Sequence, residues 1–106
     1  MQSSMAEIKE LLKHYHFYKG QIENGIAAKV LEEKIHFLET SINLLEEKCY
    51  ELLMKVFIDN TGIKKIAKQM NCSRQNIYKK ISAILTPIAL SYDIKFKKVD
   101  KRLTQS

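Results

Sequence analysis

Ser73, Arg74, Gln75, Tyr78, Lys79 and Ser82 combine hydrogen-bonding groups with positive charge at short helical spacings. On a helix such spacings gather side chains toward one side, and this set offers recognition through hydrogen bonds rather than bond making. A guanidinium can bridge the two major-groove acceptors of guanine, and a carboxamide can pair in bidentate fashion with adenine. Arg74 and Gln75, at the start of the segment, are therefore the leading candidates for contact with base edges. Ser73 and Ser82 accompany them, while Tyr78 and Lys79 incline toward the backbone phosphates. A second set comprises Lys64, Lys65, Lys68 and Lys80, together with the amides near Thr61 and Gly62. These groups suit phosphate, which positions a reader without selecting sequence. The alternative for each lysine is a solvated face of a small helical domain.

Positioning such a set requires two helices that cross at a small residue, a turn residue tolerant of positive φ, and apolar side chains that lock the second helix. Residues 62–85 meet all three needs, with Ala67 at the crossing, Asn71 in the turn, and Ile66, Met70, Cys72, Ile77, Ile81 and Ile84 inside. The expected helices are 63–70, preceded by Thr61 as cap, and 74–85, capped by Ser73 and ended by Thr86-Pro87.

Upstream, Ser4 and Glu7 form a capping box, and Ile8, Leu11, Leu12, Tyr15 and Tyr18 recur at helical spacing, so a helix is expected over 4–18. Gly20 and Asn24-Gly25 mark 19–25 as a connection. Residues 26–58 contain no Gly or Pro and predict one long helix. Its heptad stripes, Leu31, Leu38, Leu45 and Leu52 with Ile35, Ile42, Cys49 and Val56, suit a parallel two-stranded coiled coil. Glu32, Glu39 and Glu46 would flank that seam opposite Lys34, Lys48 and Lys55. The expected dimer interface is Leu31, Ile35, Leu38, Ile42, Leu45, Cys49 and Leu52. The same stripe could instead pack on the chain's own first helix, since Val30, Phe37 and Leu44 widen it beyond a simple seam.

Tyr50, Leu53 and Phe57 share a face that could complete a three-helix core with the two short helices. Beyond Pro87, the residues Ile88, Leu90, Tyr92, Ile94 and Phe96 alternate like a strand, although Thr86-Pro87 also starts helices. A short helix and then an extended arm are expected, with Lys95, Lys97, Lys98, Lys101 and Arg102 adding non-specific attraction to phosphate. The fold class is thus all-α: an N-terminal helix, a long coiled-coil-like helix, a C-terminal three-helix helix-turn-helix and a short tail. In domain terms, 1–58 form a helical hairpin and dimerisation coiled coil, 49–86 a helix-turn-helix module sharing the end of the long helix, and 87–106 a basic tail.

Charge supports a nucleic-acid partner. The net +6 divides into −2 over residues 1–58 and +8 over 59–106, so the positive charge is localised where the reading set lies. His14 and His16 would point about 200° apart on a helix, which is poor for one metal. No phosphate-binding glycine loop or nucleophile-and-base motif occurs, so no catalytic residue, no metal, no cofactor and no enzyme activity are expected. No segment is apolar over the length of a bilayer, and a cytoplasmic protein without a membrane partner is expected. Cys49 and Cys72 suit reduced thiols on apolar helix faces, with an interchain Cys49 disulfide as the alternative.

The stretch IKKIAKQMNCSRQNIYKKISAIL resembles the helix-turn-helix of sigma-factor region 4 and related regulators, with its Ile-Ala pair before a turn, then Ser-Arg and a further Ile. A long charged helix running into such a motif is similar to small phage transcriptional regulators of the ArpU and RinA type. The resemblance implies DNA contact for Ser73, Arg74, Gln75, Tyr78 and Lys79, and core roles for Ala67 and Ile77. Asn71 departs from the usual glycine, and Lys80 falls near the inner face where many members carry an apolar residue.

These readings together predict a dimeric, sequence-specific DNA-binding transcriptional regulator of phage or mobile-element type. Its target would be double-stranded DNA with an inverted repeat, and RNA polymerase would be a second partner. The alternatives are a small-terminase-like DNA recognition subunit and a coiled-coil adaptor that binds protein.

Overall fold

The structure, a computed structural model, describes residues 3–97, which are all-helical with no strand among them. The helices are α1 (Ser4–Lys13), α2 (Tyr15–Glu23), α3 (Lys29–Asn43), α4 (Glu47–Leu53), α5 (Ile63–Gln69) and α6 (Arg74–Phe96), with a π-helical segment at Met54–Ile58 between α4 and α5. Lys98, Lys101 and Arg102 of the expected basic tail lie outside the described residues.

The expected first helix is divided. Ser3 rather than Ser4 caps α1, accepting from the Ala6 amide at 3.1 Å. Ser4 is thereby free to donate to Asp93 at 3.2 Å, and Glu7 turns inward instead of back toward a cap. A break at His14 separates α1 from α2, which continues through Gly20 to Glu23 rather than ending near Tyr18. The reversal is concentrated at Gly25, whose φ of 72° lets Ile26 donate to the Gln21 carbonyl and Gly25 to that of Ile22. This is a Schellman closure, in which the left-handed residue lets two otherwise orphaned carbonyls find donors.

A larger departure concerns residues 26–58, which do not form one long helix. Helix α3 ends at Asn43, its last turn tightened by bonds from Leu44 to Ser41 and from Leu45 to Ile42, and the chain restarts at Glu47. Thr40, Ser41 and Asn43 are weak helix formers and supply a local reason. The stronger reason is burial. An uninterrupted helix of this length would hold Leu52 and Leu53 far from α1, whereas the break brings them into the same core as Ile8 and Leu12.

The coiled-coil seam is corrected accordingly. Ile35, Leu38, Ile42 and Leu52 are all under 6% exposed inside a single chain, so a partner helix could not reach them without opening the fold. Leu31 and Leu45 are half-buried at the margin of the same core, and Cys49 is half-buried. The stripe serves the chain's own helices, and the outer one is split, with Val30 and Leu44 exposed and Phe37 stacked edge-on against Tyr92 and Phe96.

The C-terminal tail is also corrected. Instead of stopping at Leu85, α6 runs through Pro87 to Phe96 over 23 residues. Proline removes one helical hydrogen bond, here to the Ala83 carbonyl, and crowds that turn at a cost of about 3 kcal/mol. Both Ala83 and Pro87 are exposed, so water can reach the freed carbonyl. Leu85, Ile88 and Tyr92 offset the penalty by burying one stripe of α6, each contributing about 1.5–3 kcal/mol. Tyr92 is the largest fully buried side chain, and α1 packs along this part of α6.

Candidate nucleic-acid interface

The site is built on α4, the π segment, α5 and the first three turns of α6. Leu53 is fully buried and joins Ile66, Ala67, Ile77 and Ile81 in one continuous core, while Phe57 packs half-buried and Tyr50 stays on the surface. The π segment widens the last turn of its helix, with Asp59 donating to Met54 and Thr61 to Lys55, both at 2.8 Å. Asn60 sits at φ 55°, the left-handed conformation that Asn accepts more readily than most residues. Thr61 does not cap α5. Its own amide is committed to closing the π turn, and Gly62 occupies the cap position without a side-chain bond.

Residues 70–73 join α5 to α6. Asn71 has φ 56°, and around it Cys72 donates to Ala67 at 2.9 Å and Asn71 to Lys68 at 3.2 Å, a second Schellman closure. Ala67, 5% exposed, is therefore both a crossing residue between the helices and an acceptor in the turn. Ser73 caps α6 by accepting from the Asn76 amide at 3.2 Å. This bond engages one lone pair of its oxygen, so Ser73 is a cap first, with its hydroxyl hydrogen and second lone pair left for any further contact.

Arg74, Gln75, Tyr78, Lys79 and Ser82 are all exposed, as are Gly62, Lys64, Lys65, Lys68 and Lys80, while Thr61 is half-buried. Ile77 and Ile81, between these exposed residues in sequence, are buried, and their burial holds the rotation of α6. Lys80 stands on the solvent side rather than near the inner face, which removes the rotational ambiguity left by the sequence. Met70 is 41% exposed and Cys72 and Ile84 half-buried, so the internal set is narrower than expected. Gln69 and Asn76 were not anticipated and are exposed on the same two helices. A helical wheel drawn from the buried residues of α6 would have found Asn76.

The electrostatics of this region are one-signed. No Asp or Glu occurs between Asp59 and Asp93, and among the described residues Lys64, Lys65, Lys68, Arg74, Lys79 and Lys80 enter no ion pair. The other face contrasts with this. Lys34 and Lys97 lie 3.5 and 3.8 Å from the Glu7 carboxylate, and Lys19 lies 2.9 Å from Glu39, which also accepts from the Tyr15 hydroxyl. Burial alone would raise the Glu7 carboxyl, but the nearby Tyr92 hydroxyl, Lys34 and Lys97 outweigh it and hold the group below the usual range. The Tyr92 hydroxyl and Glu7 Oε2 are both buried and face one another without a hydrogen bond of good geometry.

Cys49 and Cys72 are free thiols, each half-buried. His14 pairs with Glu10 at 3.1 Å and His16 packs against the Tyr15 ring. No helix among the described residues is long and apolar enough to cross a membrane. Neither a family model, nor a curated protein, nor a solved structure matches the chain.

Proposed function

We propose that the protein is a sequence-specific double-stranded DNA-binding regulator of transcription that reads bases with the N-terminal half of α6. The observation that carries this reading is a single juxtaposition. A turn closed at Asn71 presents Arg74 and Gln75 exposed at the start of α6, on a pair of helices whose five lysines are exposed and enter no ion pair, with no carboxylate from residue 60 to 92. A solvated helical face of a 28%-charged chain would ordinarily mix both signs. In this reading Arg74 and Gln75 contact base edges, with Tyr78, Lys79 and Ser82 alongside. Lys64, Lys65, Lys68 and Lys80, with the Gly62 amide, hold phosphates. The resemblance to sigma-factor region 4 and to small phage regulators supports a phage or mobile-element origin. It also supports RNA polymerase as a second partner.

The test is selection of fragmented genomic DNA by the full chain at near-physiological salt, with an Arg74→Ala/Gln75→Ala variant alongside. Enrichment of a discrete sequence that the variant loses is the expected outcome. Unselective recovery equal in both proteins would sink base reading and move the protein to DNA packaging. Salt-insensitive capture of a protein in place of DNA would make it an adaptor.

A further inference from the structure

The full length of α6 exposes a stripe that the fold leaves uncovered. Ala83, Pro87, Leu90 and Ile94 recur at intervals of four, three and four residues, and all are exposed, Leu90 by 64% and Ile94 by 59%. No charged residue occurs between Lys80 and Asp93. On a chain of net charge +6, this is the helix face on which two copies can meet without setting like charges together. A two-fold contact lays a patch against itself, so a face of this kind suits a second copy better than a partner chosen by opposite charge.

Helix geometry adds a second argument. At about 100° per residue, the stripe is centred about 100° round α6 from the face carrying Gln75, Tyr78, Lys79 and Ser82, and lies on the far side of it from the buried face. A copy seated there leaves the readers open and, about a two-fold axis, points both reading faces the same way. The centre of the stripe lies about 16 Å along the axis from Tyr78 and about 22 Å from Arg74. Antiparallel pairing about that centre sets the two copies of Tyr78 about 32 Å apart along the axis and of Arg74 about 44 Å apart, which brackets the ~34–36 Å between half-sites one DNA turn apart.

Contact area decides when the pairing forms. The stripe is about 16 Å long and a helix about 10 Å wide, giving on the order of 200 Å². A free-standing dimer buries about 800 Å² per partner. We infer that a second copy of this chain docks on the Ala83, Pro87, Leu90 and Ile94 face of α6 when both copies occupy DNA, so that two monomers assemble cooperatively on an inverted repeat. The inference rests on the DNA-reading proposal above and names the surface through which that reading becomes two-fold.

Binding of the full chain to a single half-site and to the inverted repeat found by selection tests it, with a Leu90→Gln/Ile94→Gln variant that keeps the net charge. Wild type should fill the second half-site about tenfold more tightly than the first. The variant should bind one half-site as wild type does and lose the gain. Independent filling of the two half-sites by wild type, or a gain that survives in the variant, overturns the inference while leaving base reading intact. If no sequence is selected at all, base reading fails by itself and the surface is judged by sedimentation at millimolar concentration. A dimer there that the variant abolishes supports the docking face, and a monomer overturns it.

Discussion

Arg74 and Ile77 are three residues apart on one helix, yet one is exposed and the other fully buried, and the proposed reading of DNA depends on this contrast at the residue scale. The buried isoleucine holds the helix in register so that the arginine points to a defined place. Replacing Arg74 or Gln75 with Ala should leave the fold intact, because neither is buried, and cost about 1–3 kcal/mol of binding to the selected sequence while relaxing preference at one base pair. Lys65→Ala should behave differently, weakening all DNA alike and reducing the slope of log affinity against log salt by about 1. Titrations over a salt series on cognate and scrambled duplexes separate the two, and equal loss on both duplexes for Arg74→Ala would exclude a base contact. Asn71 is the other telling residue. With φ at 56°, Asn71→Gly should be tolerated, whereas Asn71→Val should cost about 1–2 kcal/mol or more in urea denaturation, since a β-branched side chain is strained there.

Among the elements, the two glycines of the first hairpin make opposite predictions. Gly20 lies inside α2 with open space where a Cβ would stand, so Gly20→Ala should raise stability by about 0.5–1 kcal/mol. Gly25 also has open space, but its φ of 72° makes Gly25→Ala destabilising. Urea midpoints of the two variants should move in opposite directions, and a shared direction would contradict the Schellman closure. Helix α6 illustrates how local rules yield to packing. Thr86-Pro87 reads as a helix boundary because proline lacks a donor and disfavours helical geometry just before it. The boundary is overridden because Leu85, Ile88 and Tyr92 share one buried face across the proline, while the Thr86 hydroxyl donates to the Ser82 carbonyl at 2.6 Å. The expected long helix over 26–58 failed in the complementary way. Every local preference through most of that stretch favours continuation, and the need to bring Leu52 and Leu53 back to the core breaks it at its weakest turn.

For the whole molecule, two carboxylates tie the N-terminal helices together and should govern stability in acid. The Glu7 and Glu39 carboxyls titrate below the ordinary 4.5 when folded, because the hydroxyls and lysines around them outweigh the burial that would raise them. A lowered folded pKa contributes stability that is present above the unfolded value and lost as pH falls through the folded one. The urea midpoint should therefore hold from neutral pH to near 4.5 and then decline, and Glu7→Gln/Glu39→Gln should flatten that decline. An acid limb unchanged in the double variant would assign the loss to other groups. At the alkaline end Tyr15 is pushed up from 10 to about 12 by burial and by its bond to Glu39. Its contribution is complete below pH 10 and disappears as pH rises toward 12.

The all-helical fold and the α5–turn–α6 unit were legible in the sequence because both depend on local chemistry. Apolar spacing buries Ile66, Ile77 and Ile81, Asn71 tolerates a left-handed turn, and Ser73 caps the helix after it, whatever the rest of the chain does. The partner of the heptad stripe was not legible. Ile35, Leu38 and Ile42 would read the same beside a second chain or beside the chain's own helices, and only the tertiary fold chose the latter. The exposed stripe of α6 was hidden for the same reason. Whether Leu90 and Ile94 face the core or solvent depends on whether the helix survives Pro87, and that was decided by the burial of Leu85, Ile88 and Tyr92 on one face of α6 rather than by the local preference of Thr86-Pro87.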